Sequence, residues 1–258
     1  MLGLGVGFYR LGGDTKPDIW GTRTALGLDG NSDFVSTPSG LLSSLNTQNF
    51  TLACWVNLVQ NDGDTSQWAL RWYIDNDNNG GILYHKSKTE WRGSYKCGGT
   101  AMTSVYDIPG SSNNDGSGYD DGWQHFAVVC SNNNAGTSSV NLYRNGTSAG
   151  ATAGSTNVST SDLAQFHIGA GHDSTSAFLD GYIDQVNIHN NALDSNAITA
   201  MYNGGVPRDL TTFHTNYTPR HLIAYYQFEE NALDSSLNGY HATLNGTASV
   251  NNKVQPDD

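Results

Sequence analysis

The sequence predicts an all-β chain, and three observations carry that expectation. Of its 258 residues 37% are hydrophobic and only 14% charged, so the polar surface has to be made mostly of Asn, Ser, Thr and Gly. Such residues disfavour long helices, because Ser, Asn and Asp compete for backbone hydrogen bonds and Gly loses the most backbone entropy on ordering. Second, thirty glycines fall between short runs of β-branched and aromatic residues, the pattern of many short strands joined by turns. Third, those runs alternate with period two. In residues 50–58, Phe50, Leu52, Cys54 and Val56 share one face while Trp55 lies on the other, which suits a strand near the middle of a packed sheet.

The elements follow in order. Residues 1–20 are Gly-rich and read as an arm rather than a core element. Strands are expected at 25–30, 33–37, 50–58, 68–74, 81–84, 123–130, 140–143, 166–169 and 181–188, each bounded by Asn, Asp or Gly clusters that supply tight turns. Asn145-Gly146 is the strongest hairpin signal in the chain. One helix is expected, at 196–203, capped by Asp194 or Ser195 and stopped by Gly204-Gly205, with Ile198, Met201 and Tyr202 on its buried face. After Pro207 the chain loosens before apolar runs at 221–228 and 238–244.

Composition excludes several functions. The net charge of −12, with basic residues scattered singly, repels phosphate backbones, so no nucleic-acid partner is expected. No apolar run approaches the roughly 18 residues of a membrane span, and the N-terminus lacks the basic and apolar regions of a signal peptide. Cys54, Cys97 and Cys130 are odd in number and fit neither a zinc pattern nor a disulfide framework. Cys54 and Cys130 read as core thiols, with a bridge between them as the alternative.

The order of the motifs resembles laminin-G-like and concanavalin-A-like lectin/glucanase domains. The matching runs are Leu26-Gly-Leu-Asp-Gly-Asn-Ser-Asp-Phe-Val, Phe50-Thr-Leu-Ala-Cys-Trp-Val, Gly122-Trp-Gln-His-Phe-Ala-Val-Val, Val140-Asn-Leu-Tyr-Arg-Asn-Gly and Phe178-Leu-Asp-Gly-Tyr-Ile-Asp-Gln-Val. The resemblance implies an antiparallel jelly-roll β-sandwich over residues 21–205, with one concave and one convex sheet. The C-terminal extension, 206–258, contains a stretch similar to the segment that usually begins such a domain. Its strand at 221–245 is therefore expected to complete the sandwich or to pair with a neighbouring subunit.

The resemblance also frames the candidate sites. Members of the superfamily often hold a structural calcium, and the matching positions are Asp29, Gly30 (through its carbonyl) and Asp184; an Asx turn and a backbone contact are the competing roles. The loop from Asp75 to Gly81 is similar to the front half of an EF-hand but reads as a polar turn. Sugar recognition needs exposed aromatic rings, and Trp68, Trp72, Trp91, Tyr95 and Tyr106 lie in the least family-like stretch, 60–120, where loops over the concave face arise. Core packing competes for the same rings. Related glucanases carry Glu-x-Asp-x-x-Glu on one strand, whereas the only glutamates here are Glu90, Glu229 and Glu230, so no enzyme is expected.

The start, Met-Leu-Gly-Leu-Gly, resembles that of small virion proteins of marine tailed phages. The expectation is a non-enzymatic virion protein, assembled in the host cytoplasm, as capsid decoration or tail appendage. Its expected partners are other virion proteins or copies of itself, and host surface glycans. A free carbohydrate-binding module is the alternative.

Overall fold

The computed structural model describes residues 23–45, 49–59, 66–97, 99–108, 122–132, 138–154, 165–171 and 176–253. The N-terminal arm expected at 1–20 lies outside them. In chain order the elements begin with β1 (Thr24–Asp29), β2 (Phe34–Ser36), α1 (Ser39–Ser43), β3 (Phe50–Leu58), β4 (Gln67–Asp75), β5 (Asn78–His85), β6 (Glu90–Cys97) and β7 (Thr100–Asp107). They continue with β8 (Gln124–Asn132), β9 (Ser138–Arg144), β10 (Thr147–Gly154), β11 (Gln165–Ile168), β12 (Asp180–His189), α2 (Ser195–Tyr202), β13 (Leu222–Tyr226), β14 (Thr243–Asn245) and β15 (Ser249–Lys253).

Two antiparallel sheets pack face to face, as the all-β jelly-roll expectation requires. The first runs β10-β9-β8-β3-β12-β1-β15, with β13 also paired to β12; the second runs β14-β2-β11-β4-β5-β6-β7. Alternation along β3 explains its central place: Phe50, Leu52, Cys54 and Val56 enter the core between the sheets, while Trp55 packs on the outer side with Ala25 and Trp123. The β9–β10 turn has Asn145 at φ 50° and Gly146 at φ 78°, left-handed at both corners as a two-residue hairpin demands.

The extension takes part in both sheets. β1 pairs with β12 up to Ile183, and β13 takes the same edge of β12 from Val186 to His189, beyond an irregularity in the ladder with Gln185 at φ 52°. Further on, β14 adds to β2 and β15 to β1. Ile223, Tyr226, Phe228 and Val250 thereby join the main core.

Helix α2 begins at Asp194, whose Oδ1 accepts the Ala197 N–H at 2.8 Å, and ends at Asn203 in the left-handed conformation. The stop thus falls one residue before the expected glycines. Its Ala197, Ile198 and Met201 pack with Leu210, Tyr217, Leu222 and Tyr225 on Ala53, Ala127 and Val129, so an apolar layer covers the outer face of the first sheet.

Two elements went unmarked in the sequence, and the cysteine alternatives are decided in favour of core thiols. Besides the strands expected at 68–74 and 81–84, the described part of 60–120 holds β6 and β7, regular strands of the second sheet that were not expected. Their outward positions carry charged and small polar residues, which hid the period-two signal. The short helix α1 had no recognisable periodicity. Cys54 and Cys130 are buried free thiols: Cys54 lies opposite Phe126 and Cys130 opposite Phe50, too far apart along the strands for a bridge. Among the described residues no helix is long and apolar enough to cross a membrane.

Candidate functional site: the outer face of the second sheet

The two outer faces differ in chemistry. The first sheet is roofed by α2 and the extension, whereas β4–β7 turn polar and charged side chains outward. Inward go Leu70, Trp72, Ile82, Tyr84, Trp91, Tyr95 and Met102, all members of the core. Side chains on either side of these in sequence must therefore point out.

Pairing places the outward residues in rows. One runs Trp68–Leu83–Arg92–Val105, the next Arg71–Gly81–Ser94–Thr103, and the third Tyr73–Asn79–Lys96–Ala101. Neighbouring strands lie about 4.8 Å apart, so each row spans a surface the size of a short oligosaccharide. His167 of β11 stands beside Arg71, and Gln165 beside Tyr73.

Arg71 is the centre of this surface. Its guanidinium lies over the Trp68 ring, 4.3 Å from the centroid, with the Tyr73 ring at 5.7 Å. Trp68 lies outside the inter-sheet core cluster yet is buried, with Arg71 over its ring. Opposite Arg71 is Gly81, at φ 144°, where a Cβ would stand 1.9 Å from the Leu70 carbonyl oxygen. That close approach of the β4 backbone accompanies a register shift between Trp68 and Leu70.

Arg92 and Lys96 in these rows have acidic neighbours. Arg92 contacts Glu90 through both Nε and Nη2. Lys96 Nζ donates to the Asn76 carbonyl at 2.7 Å and lies 3.5 Å from Asp77 Oδ1. A further row sets His85, Glu90 and Asp107 side by side. Burial, then the charge of Arg92, holds the His85 imidazole below its ordinary range.

The aromatic residues expected to form a sugar face separate into three groups. Trp72, Trp91 and Tyr95 point inward, only 2% exposed, and this corrects the expectation: Trp72 and Tyr95 pack on Phe50, and Trp91 stacks on Phe126. Rings spent on core contacts offer no face to a pyranose. Trp68 faces outward beneath Arg71. Tyr106 lies at the edge where β7 meets β10, stacked under Arg144 at 4.5 Å, in a cleft of about 270 Å³ with Asn145, Thr147 and Ser148. Sequence reasoning passed over Arg71, Tyr73, Arg92 and Lys96. Alternation along β6 held the signal, since inward Trp91 and Tyr95 force Arg92 and Lys96 out.

The expected calcium ligands do not converge. Asp29 pairs with Asp180, while Ile183 pairs with Leu26, so Asp184 lies four positions away along β12, about 13 Å. Asp29 Oδ1 accepts the N–H groups of Asn31, Ser32 and Asp33, an Asx-type turn that lowers its carboxyl against the opposing effect of burial. Asp184 is fully buried 3.5 Å from Arg23 Nε, and burial raises its carboxyl well above the usual range. These donors do not fit one cation. Asp75 likewise caps its own turn, accepting from the Asp77 N–H and the Asn78 side chain. Among the described residues no group of three or more His, Cys, Asp or Glu side chains could hold a metal.

Comparison with known proteins places this geometry in context. The laminin G model of the concanavalin A-like lectin/glucanases superfamily matches residues 29–199. A candidate carbohydrate-binding protein from Bacteroides ovatus superposes with TM-score 0.53 at 16% identity, over 88% of this chain and 58% of that one. The LG4-5 domains of the mouse laminin alpha1 chain superpose at 0.46 with 10% identity, over 65% of this chain and 41% of theirs. The receptor binding domain of a botulinum neurotoxin C/D mosaic serotype gives 0.49 at 16%, over 77% and 50%. This chain therefore spans little more than half of the Bacteroides ovatus protein, and no curated protein matches it.

Proposed function

The chain belongs to the concanavalin A-like lectin/glucanases superfamily, and from that premise we propose that it is a non-catalytic carbohydrate-binding sandwich whose sugar face is the outer surface of β4–β7. The observation that carries this reading is the Arg71–Trp68–Tyr73 stack among the polar side chains of that outer face. Ser94, Thr103 and Asn79 around it supply the hydroxyl and amide groups that pair with sugar hydroxyls.

The family name covers binders and hydrolases alike, so the argument against catalysis rests on residues. Glu90 and Asp107 oppose one another across β6 and β7, a spacing that retaining hydrolysis uses. Glu90, however, is only 7% exposed and tied to the Arg92 guanidinium, so the pair offers a glycosidic bond no open approach. Glu229 is engaged likewise by Arg23, and Glu230 is an exposed side chain of the extension.

Calorimetric titration against a broad panel of oligosaccharides tests the reading. At least one should bind, with Tyr73→Ala weakening it about tenfold, and reducing ends should not accumulate on prolonged incubation. No binding across the panel would overturn the proposal; release of reducing ends that Glu90→Gln abolishes would turn it into a hydrolase. The finer reading, a virion-borne adhesive module, is favoured by the N-terminal Met-Leu-Gly-Leu-Gly and rests on co-purification of the chain with phage particles.

A further inference from the structure

The candidate sugar face does not stop where its sheet ends. Of its three rows, Trp68–Leu83–Arg92–Val105 is the most apolar, with Arg71 over the Trp68 ring at the β4 end. Sugar rings present C–H faces and hydroxyl rims. A chain laid along this row would turn those faces down and its hydroxyls towards Ser94 and Thr103 of the next row. At about 4.8 Å per strand the row is about 14 Å long, room for about three sugar residues. It ends at Val105 on β7, the last strand of the second sheet.

Beyond that edge lies β10, and the two strands are fastened together at one end. The Thr152 hydroxyl donates to the Thr103 carbonyl at 2.7 Å, the Ser104 hydroxyl donates to the Gly150 carbonyl, and Met102 fills the space a Gly154 side chain would take. Further along β7 they part. The cleft of about 270 Å³ opens there, between Tyr106 and the wall formed by Arg144, Thr147, Ser148 and Ala149. Its walls are set before any ligand arrives. Arg144 Nη1 donates to the Tyr106 hydroxyl at 2.6 Å with the guanidinium over the ring, and Asn145 Oδ1 accepts the His125 N–H at 2.9 Å. Apolar Tyr106 and Ala149 beside hydroxyl and guanidinium groups match the two sides of a sugar ring. The volume lies just below the roughly 300 Å³ at which drug-sized sites begin, so it suits a single ring.

We propose that this cleft is a further subsite of the sugar face, and that the ligand is a linear glycan of about four or more residues, which crosses β4 to β7 and seats its end unit between Tyr106 and Ala149. The inference rests on the outer face of β4–β7 being the sugar-binding surface. It adds the chain length preferred and the side chains that read it. Val105 and Tyr106 are consecutive, so the row passes the chain to the cleft within one step of β7.

Calorimetry on the full chain with cello-, xylo-, manno- and malto-oligosaccharides of two to six residues tests it. In at least one series affinity should rise tenfold or more between three and five residues and then level off. Ala149→Trp, which fills the cleft, should bring the pentamer down to the affinity of the trimer. Thr147→Trp, at an exposed position of the same wall, should do the same and serves if the first variant fails to fold. Tyr73→Ala should weaken trimer and pentamer by the same factor, since Tyr73 lies beside Arg71 and not in the cleft. Series that all level off at three residues or fewer overturn the inference and leave the sugar-binding reading standing; binding in none of the four overturns both. A rise from three to five residues that both filled variants retain would overturn the assignment to the cleft.

Discussion

His125 and His189 lie 1% and 0% exposed in the apolar interior, and burial pushes both imidazoles down to about 3. His125 sits among Trp55 and Tyr202, at centroid distances of 5.2 and 6.2 Å. His189 faces Tyr217, whose hydroxyl donates to the Leu210 carbonyl, so the imidazole Nε2 carries the proton and donates to the tyrosine oxygen. In the unfolded chain each histidine takes a proton near pH 6.5; in the fold it does not until about 3. Unfolding therefore binds protons between those limits. The stability is fully present above pH 6.5 and is lost as pH falls, at about 1.4 kcal/mol per pH unit for each histidine. Asp184 acts with the opposite sign, since its raised carboxyl retains a proton that the unfolded chain releases above 3.8. Comparing wild type with His125→Phe isolates one imidazole whatever Asp184 does. The expected outcome is a slope between pH 4.5 and 6.5 reduced by about 1.4 kcal/mol per unit, read from urea midpoints across that range. An unchanged slope would mean that the folded protein protonates His125 freely.

At the scale of elements, the β4–β5 hairpin determines what the candidate site can offer. Its register shift and the φ of 144° at Gly81 bring the Leu70 carbonyl to where a side chain would begin. Gly81→Val should cost about 2 kcal/mol or more, because the clash is with backbone and cannot be relieved by a rotamer change. Gly122→Ala is the control: φ is also positive, at 82°, but nothing lies within 4 Å, so about 1 kcal/mol is expected. Denaturant midpoints of the two variants give the comparison. Much at this scale was legible. Period two in β3 placed Trp55 against the outer layer, Asn145-Gly146 marked the hairpin, and Asp194 marked the start of α2. The site was legible only in part. Aromatic rings drew attention to Trp72, Trp91 and Tyr95, but the side chains that reach the outer face are the cations one position along. A ring's type does not say which way it faces; the inter-sheet core claims large apolar surfaces first, since burying them is worth more than leaving them for a ligand.

The whole molecule depends on its last fifty residues. Ile223, Tyr226, Phe228 and Val250 belong to the inter-sheet core, and Leu210, Tyr217, Leu222 and Tyr225 to the layer under α2. A chain truncated after Gly205 would expose both, leave the Val186–His189 half of β12 without its partner, and strip β15 from β1. It should fail to give a monomer with native near-ultraviolet circular dichroism, with losses of several kcal/mol from apolar burial alone. A truncated monomer that unfolds cooperatively would show instead that the extension only decorates a self-sufficient sandwich. By itself the sequence determined the fold class, the central strand, the hairpin and the one capped helix, because each follows from local periodicity or from a turn that few residues can make. Only the tertiary structure decided which rings face the core, that Asp29 and Asp184 stand apart, and that scattered cations of β4 to β6 meet on one surface. Those facts depend on strand register, and register is set by packing between segments far apart in the chain.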